Sequence, residues 1–367
     1  MGLTFASLGV LKGAATIAVR YSAHRQQFGP DPKSPEVAVL DYPSQQLKLM
    51  PMLATAYALH FTRDVLIAKY TEMKRKREEN DVLVADVHSL SAGLKAYTTN
   101  YTNSAISVAR ECCGGHGYAA VNRLGALRSD HDIFQTFEGD NTVLMQQVAA
   151  LLLKQYKESF SESSLVATFS YLKQMMQDAL PTNPLVSHAT EPRHLRNPEF
   201  LKEALRYRAA RLLHTLAARL RKHTASCRKK YGASSAGFHA WNACLIHVLA
   251  LSRAHIESVM LEAFLNAVDT CPDVECRKSL KAMADLFALE RIHADVLFRN
   301  IDYIAPEKEK AIRKMIEHLC AELRGVAVPL VDSFGIPDHI LRAPIGLSSI
   351  GGFDPYGEYL KSAGFGG

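Results

Sequence analysis

Apolar residues recur at intervals of three and four along most of the chain. This spacing places them on one face of an α-helix, whereas sustained alternation with β-branched residues, the pattern of a half-buried strand, is found in no segment. The sequence therefore predicts an all-α fold without a sheet-based domain. The predicted helices cover residues 3–21, 45–74, 81–112, 142–156, 198–227, 236–269, 277–302 and 307–324.

The domain organisation follows from the chain length and from one change in composition. At about 150 residues per domain, 367 residues favour two domains. Pro, Ser, Thr and Asn concentrate between 181 and 198, which is typical of a connecting segment. We predict two helical-bundle domains, at 1–157 and 199–367, joined by a linker at 158–198.

Composition excludes several classes of protein. A hydrophobic content of 48% with 22% charged residues excludes a disordered chain. The apolar stretches fall short of about 18 uninterrupted residues, so no membrane span is predicted. The seven cysteines are odd in number and show no framework spacing, which argues against a disulfide scaffold, and the lack of a C-x-x-C pair argues against structural zinc. Asp130, His131 and Asp132 are consecutive and cannot all face one ion, so no metal is predicted.

Basic residues cluster between Arg206 and Lys230. A nucleic-acid interface needs such a cluster, but this one has a single aromatic residue and no recognition motif. We interpret it as a solvated helix face and predict no nucleic-acid partner.

Three segments combine residues that suit chemistry at a ligand. Residues 25–30 (Arg-Gln-Gln-Phe-Gly-Pro) offer a planar guanidinium for a phosphate and an aromatic face for a base. Residues 113–118 (Cys-Gly-Gly-His-Gly-Tyr) allow backbone N–H groups to approach a ligand closely. The simpler alternatives are an Arg that complements a helix end and a plain glycine turn.

The third segment, residues 134–142, places Glu138 between aromatic residues and a glycine, just before an apolar helix. A carboxylate among aromatic rings loses solvation, which raises its pKa towards that of a general base. The alternative is an acidic residue that complements the helix dipole, with Asp140 or Asn141 as the N-cap.

In this order, the three segments resemble the C-terminal half of the acyl-CoA dehydrogenase and oxidase superfamily, and the oxidase branch fits better than the dehydrogenase branch. Among the oxidases, the segments look closest to the plant and algal peroxisomal enzymes. The resemblance covers 21–29 (Tyr-Ser-Ala-His-Arg-Gln-Gln-Phe-Gly), 40–46 (Leu-Asp-Tyr-Pro-Ser-Gln-Gln), 114–118 (Gly-Gly-His-Gly-Tyr) and 136–141 (Thr-Phe-Glu-Gly-Asp-Asn), and it extends to 334–339 and 342–346.

The resemblance implies an FAD-dependent enzyme of peroxisomal fatty acid β-oxidation, which converts fatty acyl-CoA and O₂ into trans-2-enoyl-CoA and H₂O₂. It implies that Glu138 is the catalytic base, that Gly139 and Tyr118 contact the substrate, and that a homodimer shares FAD contacts between subunits. The residues that match cofactor contacts are Arg25, Gln27, Phe28, Cys113, Gly114, Gly115, His116 and Gly117.

Two departures from the family pattern qualify these expectations. Relatives often have a flavin-contacting Gln where Pro43 stands, and Pro has no N–H to donate. The family also has an N-terminal helical domain and a middle β-domain before this region, so we expect a fragment without the β-domain. The alternative functions are an acyl-CoA dehydrogenase and a non-catalytic helical dimerisation module.

Overall fold

A computed structural model of the chain describes residues 1–76, 81–158, 189–295, 298, 304–348 and 355–362. In these ranges the chain is helical apart from turns and one pair of two-residue antiparallel strands, β1 (Gln26–Gln27) and β2 (Val37–Ala38). The predicted all-α class is confirmed. The helices are α1 (Gly2–His24), α2 (Pro43–Arg75), α3 (Asp81–Cys112), α4 (Gly114–Tyr118), α5 (Leu124–Asp132), α6 (Asn141–Glu158), α7 (Pro192–Leu195), α8 (Pro198–Tyr231), α9 (Ala236–Ala243), α10 (Leu245–Thr270), α11 (Val274–Ala294), α12 (Pro306–Arg324), α13 (Ala327–Asp332), α14 (Asp338–Leu341) and α15 (Pro355–Ser362).

Two predicted helices differ from those found. The segment 236–269 is two helices, α9 and α10, which meet at Cys244 at an angle of 64°. The helix predicted over 277–302 ends at Ala294, because Asp295 adopts an extended conformation. The Asp295 carboxylate lies 3.1 Å from Arg208 Nη1 of α8, so an ion pair is found where the helix ends.

The main hydrophobic core draws on both predicted domains. It includes Leu8 and Leu53 from the first half, and Phe264, Phe287 and Leu319 from the second, all at most 2% exposed. Most of the predicted linker, residues 159–188, lies outside the described residues. The division at 1–157, 158–198 and 199–367 therefore stays a prediction, although the described parts of both halves pack into one core.

The basic cluster on α8 is only partly the solvated face that the sequence predicts. Arg208 is 2% exposed, and its Nη2 lies 2.6 Å from a carboxylate oxygen of Glu257. Arg206 pairs with Glu262 at 2.8 Å. The prediction is wrong for Arg208 because the first half of α8 packs on α10, which places this position inside the protein.

One helix among the described residues, α1, is long and apolar enough to cross a bilayer, and the bent pair of α9 and α10 meets the same criterion. In α1, 67% of the apolar window is buried inside the protein. Core helices of globular proteins share this character. Its burial follows from its packing against α2 and α3.

Candidate functional site

The Arg-Gln-Gln-Phe segment leaves α1 as a short strand. Arg25 is extended, and its N–H donates to Tyr21 O at the end of the helix. β1 then pairs with β2, and the Tyr42 hydroxyl lies 2.9 Å from Gln27 O and 2.5 Å from Phe28 O. The backbone of the segment is therefore fixed on both sides before any ligand binds.

This segment presents side chains outward. Arg25 Nη2 donates to Gln27 Oε1 at 3.0 Å, which orients the guanidinium, and the Phe28 ring is 73% exposed. A Cβ on Gly29 would lie 2.3 Å from Pro35 O. Glycine is therefore required at 29 for the chain to turn directly after Phe28.

The glycine-rich segment is a single helical turn, α4, instead of the predicted loop with free N–H groups. Gly117 N–H donates to Cys113 O, so this donor is used inside the turn. A Cβ on Gly117 would lie 2.0 Å from Arg110 O at the end of α3. Gly117 is a glycine because α4 packs directly on the backbone of α3.

Of the other residues in this turn that were predicted to contact a ligand, some are exposed and one is buried. Gly114 and Gly115 are exposed, and a Cβ at either position would enter open space. Tyr118 is 81% exposed. Cys113 is fully buried, and burial raises the pKa of its thiol far above the usual range, so the sulfur is a packing group here.

The structure brings the first two segments together at His116. Burial and then the charge of Arg25 lower the pKa of the His116 imidazole. The ring lies between Tyr21 and Tyr359, with centroid distances of 5.8 and 5.6 Å. Arg25 and the α4 turn therefore border one surface at the C-terminal end of α1.

Glu138 lies on a strained turn before α6. Its φ is +54°, in the left-handed region that residues with side chains rarely adopt, and the following Gly139 has φ +105°. Phe134 and Phe137 pack at 5.3 Å, but the Glu138 side chain is exposed. The predicted desolvation of Glu138 is therefore not found, because this side chain is exposed in the described structure.

The helix-capping role predicted as an alternative belongs to Asp140. Its Oδ1 accepts hydrogen bonds from the backbone N–H groups of Thr142 at 2.8 Å and Val143 at 3.3 Å. This is the geometry of an N-cap carboxylate. The first turn of α6 is thus already satisfied without Glu138, which leaves that carboxylate available for another role.

A lysine that the sequence analysis did not identify, Lys95 on α3, reaches the Glu138 turn. It is 4% exposed, and its Nζ donates to Gly139 O at 2.7 Å and to Asn141 Oδ1 at 3.1 Å. Burial lowers the Lys95 pKa, and the charges of Asp140 and Glu138 oppose that shift. The available signal was a charged residue in a segment of α3 that is otherwise apolar or hydroxylated.

The predicted residues have different contacts in the structure. α5 contacts α4, whereas Glu138 and Gly139 lie on the turn between α5 and α6, where Lys95 of α3 contacts Gly139 O. His131 on α5 is buried, with Nε2 2.7 Å from Ser7 Oγ. Within the described ranges, no group of three or more His, Cys, Asp or Glu side chains could hold a metal ion.

A cavity of about 540 Å³ opens beside the first turn of α6. It lies between α3, α6, α8, α10 and α11, and its charged lining includes Arg208, Glu257 and Arg291. The Tyr97 hydroxyl donates to Glu257 at 3.1 Å, and Arg208 pairs with the same carboxylate. The sequence analysis did not predict this cavity, because its lining joins residues from both halves of the chain.

Comparison with known proteins agrees with this helical architecture. Residues 1–153 match the family model described as the acyl-CoA oxidase C-alpha1 domain, and residues 197–349 match the model described as acyl-CoA oxidase. Together the two models account for both helical halves of the chain. The chain belongs to the acyl-CoA oxidase family.

Individual relatives give the same result. The chain is 56% identical over its whole length to the peroxisomal acyl-coenzyme A oxidase 2 of Arabidopsis thaliana, covering 51% of that protein. It is 30% identical to human peroxisomal acyl-coenzyme A oxidase 1, over 96% of this chain and 53% of the relative. The chain thus spans about half the length of the curated relatives it matches.

Solved structures match over nearly all of the chain. Arabidopsis thaliana acyl-CoA oxidase 1 has a TM-score of 0.86 at 28% identity, with 99% of this chain and 53% of that chain covered. Acyl-CoA oxidase-1 of Caenorhabditis elegans, solved with FAD and ATP, has a TM-score of 0.83 at 26% identity, with 98% and 52% covered. FAD is therefore a cofactor found in structures of this family.

Proposed function

We propose that the chain supplies the catalytic base and part of the FAD and substrate sites of a peroxisomal acyl-CoA oxidase. The reaction converts a fatty acyl-CoA and O₂ into trans-2-enoyl-CoA and H₂O₂, the first step of peroxisomal fatty acid β-oxidation. The observation that carries the proposal is the exposed Glu138 carboxylate, held on a left-handed turn in the part of the chain that matches an acyl-CoA oxidase domain.

The proposed role of Glu138 is to remove the α-proton of the acyl thioester. A carboxylate does this efficiently when water is excluded and the thioester oxygen accepts hydrogen bonds. Glu138 is exposed in the described structure, and the Phe137 side chain beside it is also exposed, at 38%. An acyl chain placed against Phe137 would displace water from the carboxylate and raise its basicity.

The residues near α4 fit the chemistry of FAD. The Arg25 guanidinium suits a pyrophosphate, the exposed Phe28 ring suits an adenine, and the surface over Gly114 and Gly115 is open. When bound, FAD accepts the hydride from the β-carbon and passes the electrons to O₂. Gln27 orients Arg25, and His116 borders the same surface, whereas the buried Cys113 and Gly117 shape the turn.

The exposure of Phe28 supports a homodimer. The Phe28 ring is 73% exposed, which leaves its face accessible to a partner or ligand, and aromatic residues are enriched at protein interfaces. We infer that Arg25, Gln27 and Phe28 reach the FAD of the neighbouring subunit, while Gly139 and Tyr118 contact the acyl-CoA. Pro43 is the first residue of α2 and has no N–H, so no flavin contact is assigned to it.

The test joins the N-terminal half of the Arabidopsis oxidase 2 to this chain. We expect the hybrid to contain FAD, to consume O₂ on addition of a fatty acyl-CoA, and to form one H₂O₂ per enoyl-CoA. Turnover with an electron-accepting dye but not with O₂ would instead indicate a dehydrogenase. A folded, colourless hybrid that only pairs with a full-length oxidase subunit would indicate a dimerisation module.

A further inference from the structure

The Glu138 turn is strained, and one buried cation contacts both of its ends. Lys95 Nζ donates to Gly139 O at 2.7 Å on the C-terminal side, and it lies 3.5 Å from Gln135 O on the N-terminal side. Its third acceptor, Asn141 Oδ1 at 3.1 Å, belongs to the first residue of α6. The three ammonium hydrogens of Lys95 thus match three acceptors that bracket Glu138.

The surrounding contacts hold Lys95 in place. The Asn141 amide donates to Thr99 Oγ1 at 2.9 Å, and the Thr99 hydroxyl donates to Lys95 O at 2.9 Å, one turn along α3. This chain of hydrogen bonds fixes the lysine backbone and the start of α6 relative to each other. A buried polar network whose members are all satisfied is rigid.

Helix capping does not explain Lys95. Asp140 already caps α6, and a cation near the N-terminus of a helix opposes the helix dipole. Burial also disfavours the ammonium, as the lowered pKa of Lys95 shows. Lys95 is therefore a buried cation that contacts a turn whose central residue has a positive φ. Backbone strain of this kind is common at functional sites and persists only when the surrounding contacts maintain it.

We propose that Lys95 is a positioning residue that holds the Glu138–Gly139 turn in its left-handed conformation and so fixes the catalytic carboxylate against the substrate. This inference rests on the proposed function of Glu138. Lys95 acts through the two backbone carbonyls and Asn141, without touching the substrate.

The first measurement does not depend on catalysis. Lys95→Met keeps the side-chain length and removes the charge and the donors. In the 367-residue chain, we expect amide hydrogen exchange in residues 136–140 to become at least about tenfold faster, the effect of losing charge-assisted hydrogen bonds. Exchange in α1 and α10 should stay within about twofold, and Lys154→Met on the exposed face of α6 should change neither region.

The second measurement tests whether the contacts that Lys95 makes with the Glu138 turn are needed for catalysis. In the hybrid oxidase, Lys95→Met should lower kcat at least about tenfold while KM for the acyl-CoA changes less than about threefold. If Lys95→Met fails to fold, Asn141→Ala, which removes one acceptor, should show the same kcat effect in smaller degree.

The outcomes separate the two proposals. Unchanged exchange at 136–140, or altered exchange with kcat unchanged, would overturn the positioning role of Lys95. An unmutated hybrid that binds FAD but does not oxidise acyl-CoA would overturn the proposed function instead. Faster exchange in Lys95→Met would then show that Lys95 holds the turn without a role in catalysis.

Discussion

At the residue scale, the burial of single polar side chains is a property that the sequence alone does not show. His131 sits in an acidic tripeptide that suggests a metal ligand, yet the structure buries it against Ser7, with Nδ1 lacking a hydrogen-bond partner. Burial lowers the His131 pKa to about 4, against the smaller opposing effect of Asp132. The imidazole is therefore neutral at physiological pH and serves as a core residue.

This neutral histidine makes stability depend on pH. The folded pKa of about 4 lies below the ordinary value of 6.5, so the unfolded chain binds the extra proton between these values. Stability from His131 is complete above about pH 6.5 and is lost as the pH falls towards 4, by up to about 3 kcal/mol. His131→Gln should flatten this dependence in urea unfolding measured from pH 4 to pH 7.

The matched control is His318→Gln, whose side chain is 66% exposed. It should leave the pH dependence of unfolding unchanged. An unaltered slope in the His131 variant would show that other groups cause the acid sensitivity of the chain.

At the scale of elements, the sequence predicted the positions of the long helices, because a local pattern of apolar residues determines them. Long helices were found where apolar residues recur every three to four positions. Their ends lie within about four residues of those predicted, apart from the early end at Ala294 and the break at Cys244. The bend at Cys244 was not predicted, because neither Pro nor Gly marks it. α4 was taken for a loop because glycine is a poor helix former, although packing on Arg110 O favours the helical turn.

The candidate site shows the same limit. Glu138, Arg25 and the glycine turn were predicted from sequence because their segments, in this order, resemble those of a known family, whereas each local pattern alone left a simpler alternative open. Lys95 could not be predicted, since its partners lie 40 to 46 positions further along the chain. Long-range contacts, burial and the exposure of Glu138 depend on packing that no local pattern encodes.

Two glycines in α4 provide a test of this packing. Gly117→Ala would place a Cβ 2.0 Å from a backbone oxygen that cannot move aside, so we expect a loss of about 1–3 kcal/mol in the free energy of unfolding. Gly115→Ala, two residues earlier, meets open space and should change it by less than about 0.5 kcal/mol. Equal effects of the two substitutions in urea unfolding would contradict the close approach of α4 and α3.

At the scale of the whole molecule, the two halves are joined by polar contacts as well as by a shared core. Arg20 on α1 is 5% exposed and pairs with Asp332 and Asp338, at 2.8 and 3.0 Å. Trp241 on α9 donates to Gln146 on α6 at 2.7 Å. Separating the halves would expose apolar surface and break these partly buried polar contacts together.

We therefore expect the chain to unfold in one cooperative transition. Trp241 is the single tryptophan and lies at the junction, so its fluorescence reports the contact between halves. Fluorescence and far-ultraviolet circular dichroism should give coincident urea unfolding curves. Two separated transitions would show that the halves are independent domains.

The central claim is that Glu138 is the base of an acyl-CoA oxidase, and Glu138→Gln in the hybrid enzyme tests it most directly. The amide keeps the size of the side chain but cannot accept the α-proton, so H₂O₂ formation should fall at least about a hundredfold, since general-base catalysis contributes about 10²–10⁴-fold. FAD content should be unchanged, because the substitution keeps the size of the side chain and leaves Arg25, Phe28 and the α4 turn as they are. H₂O₂ formation within about threefold of the unmutated hybrid, with FAD bound, would contradict the account.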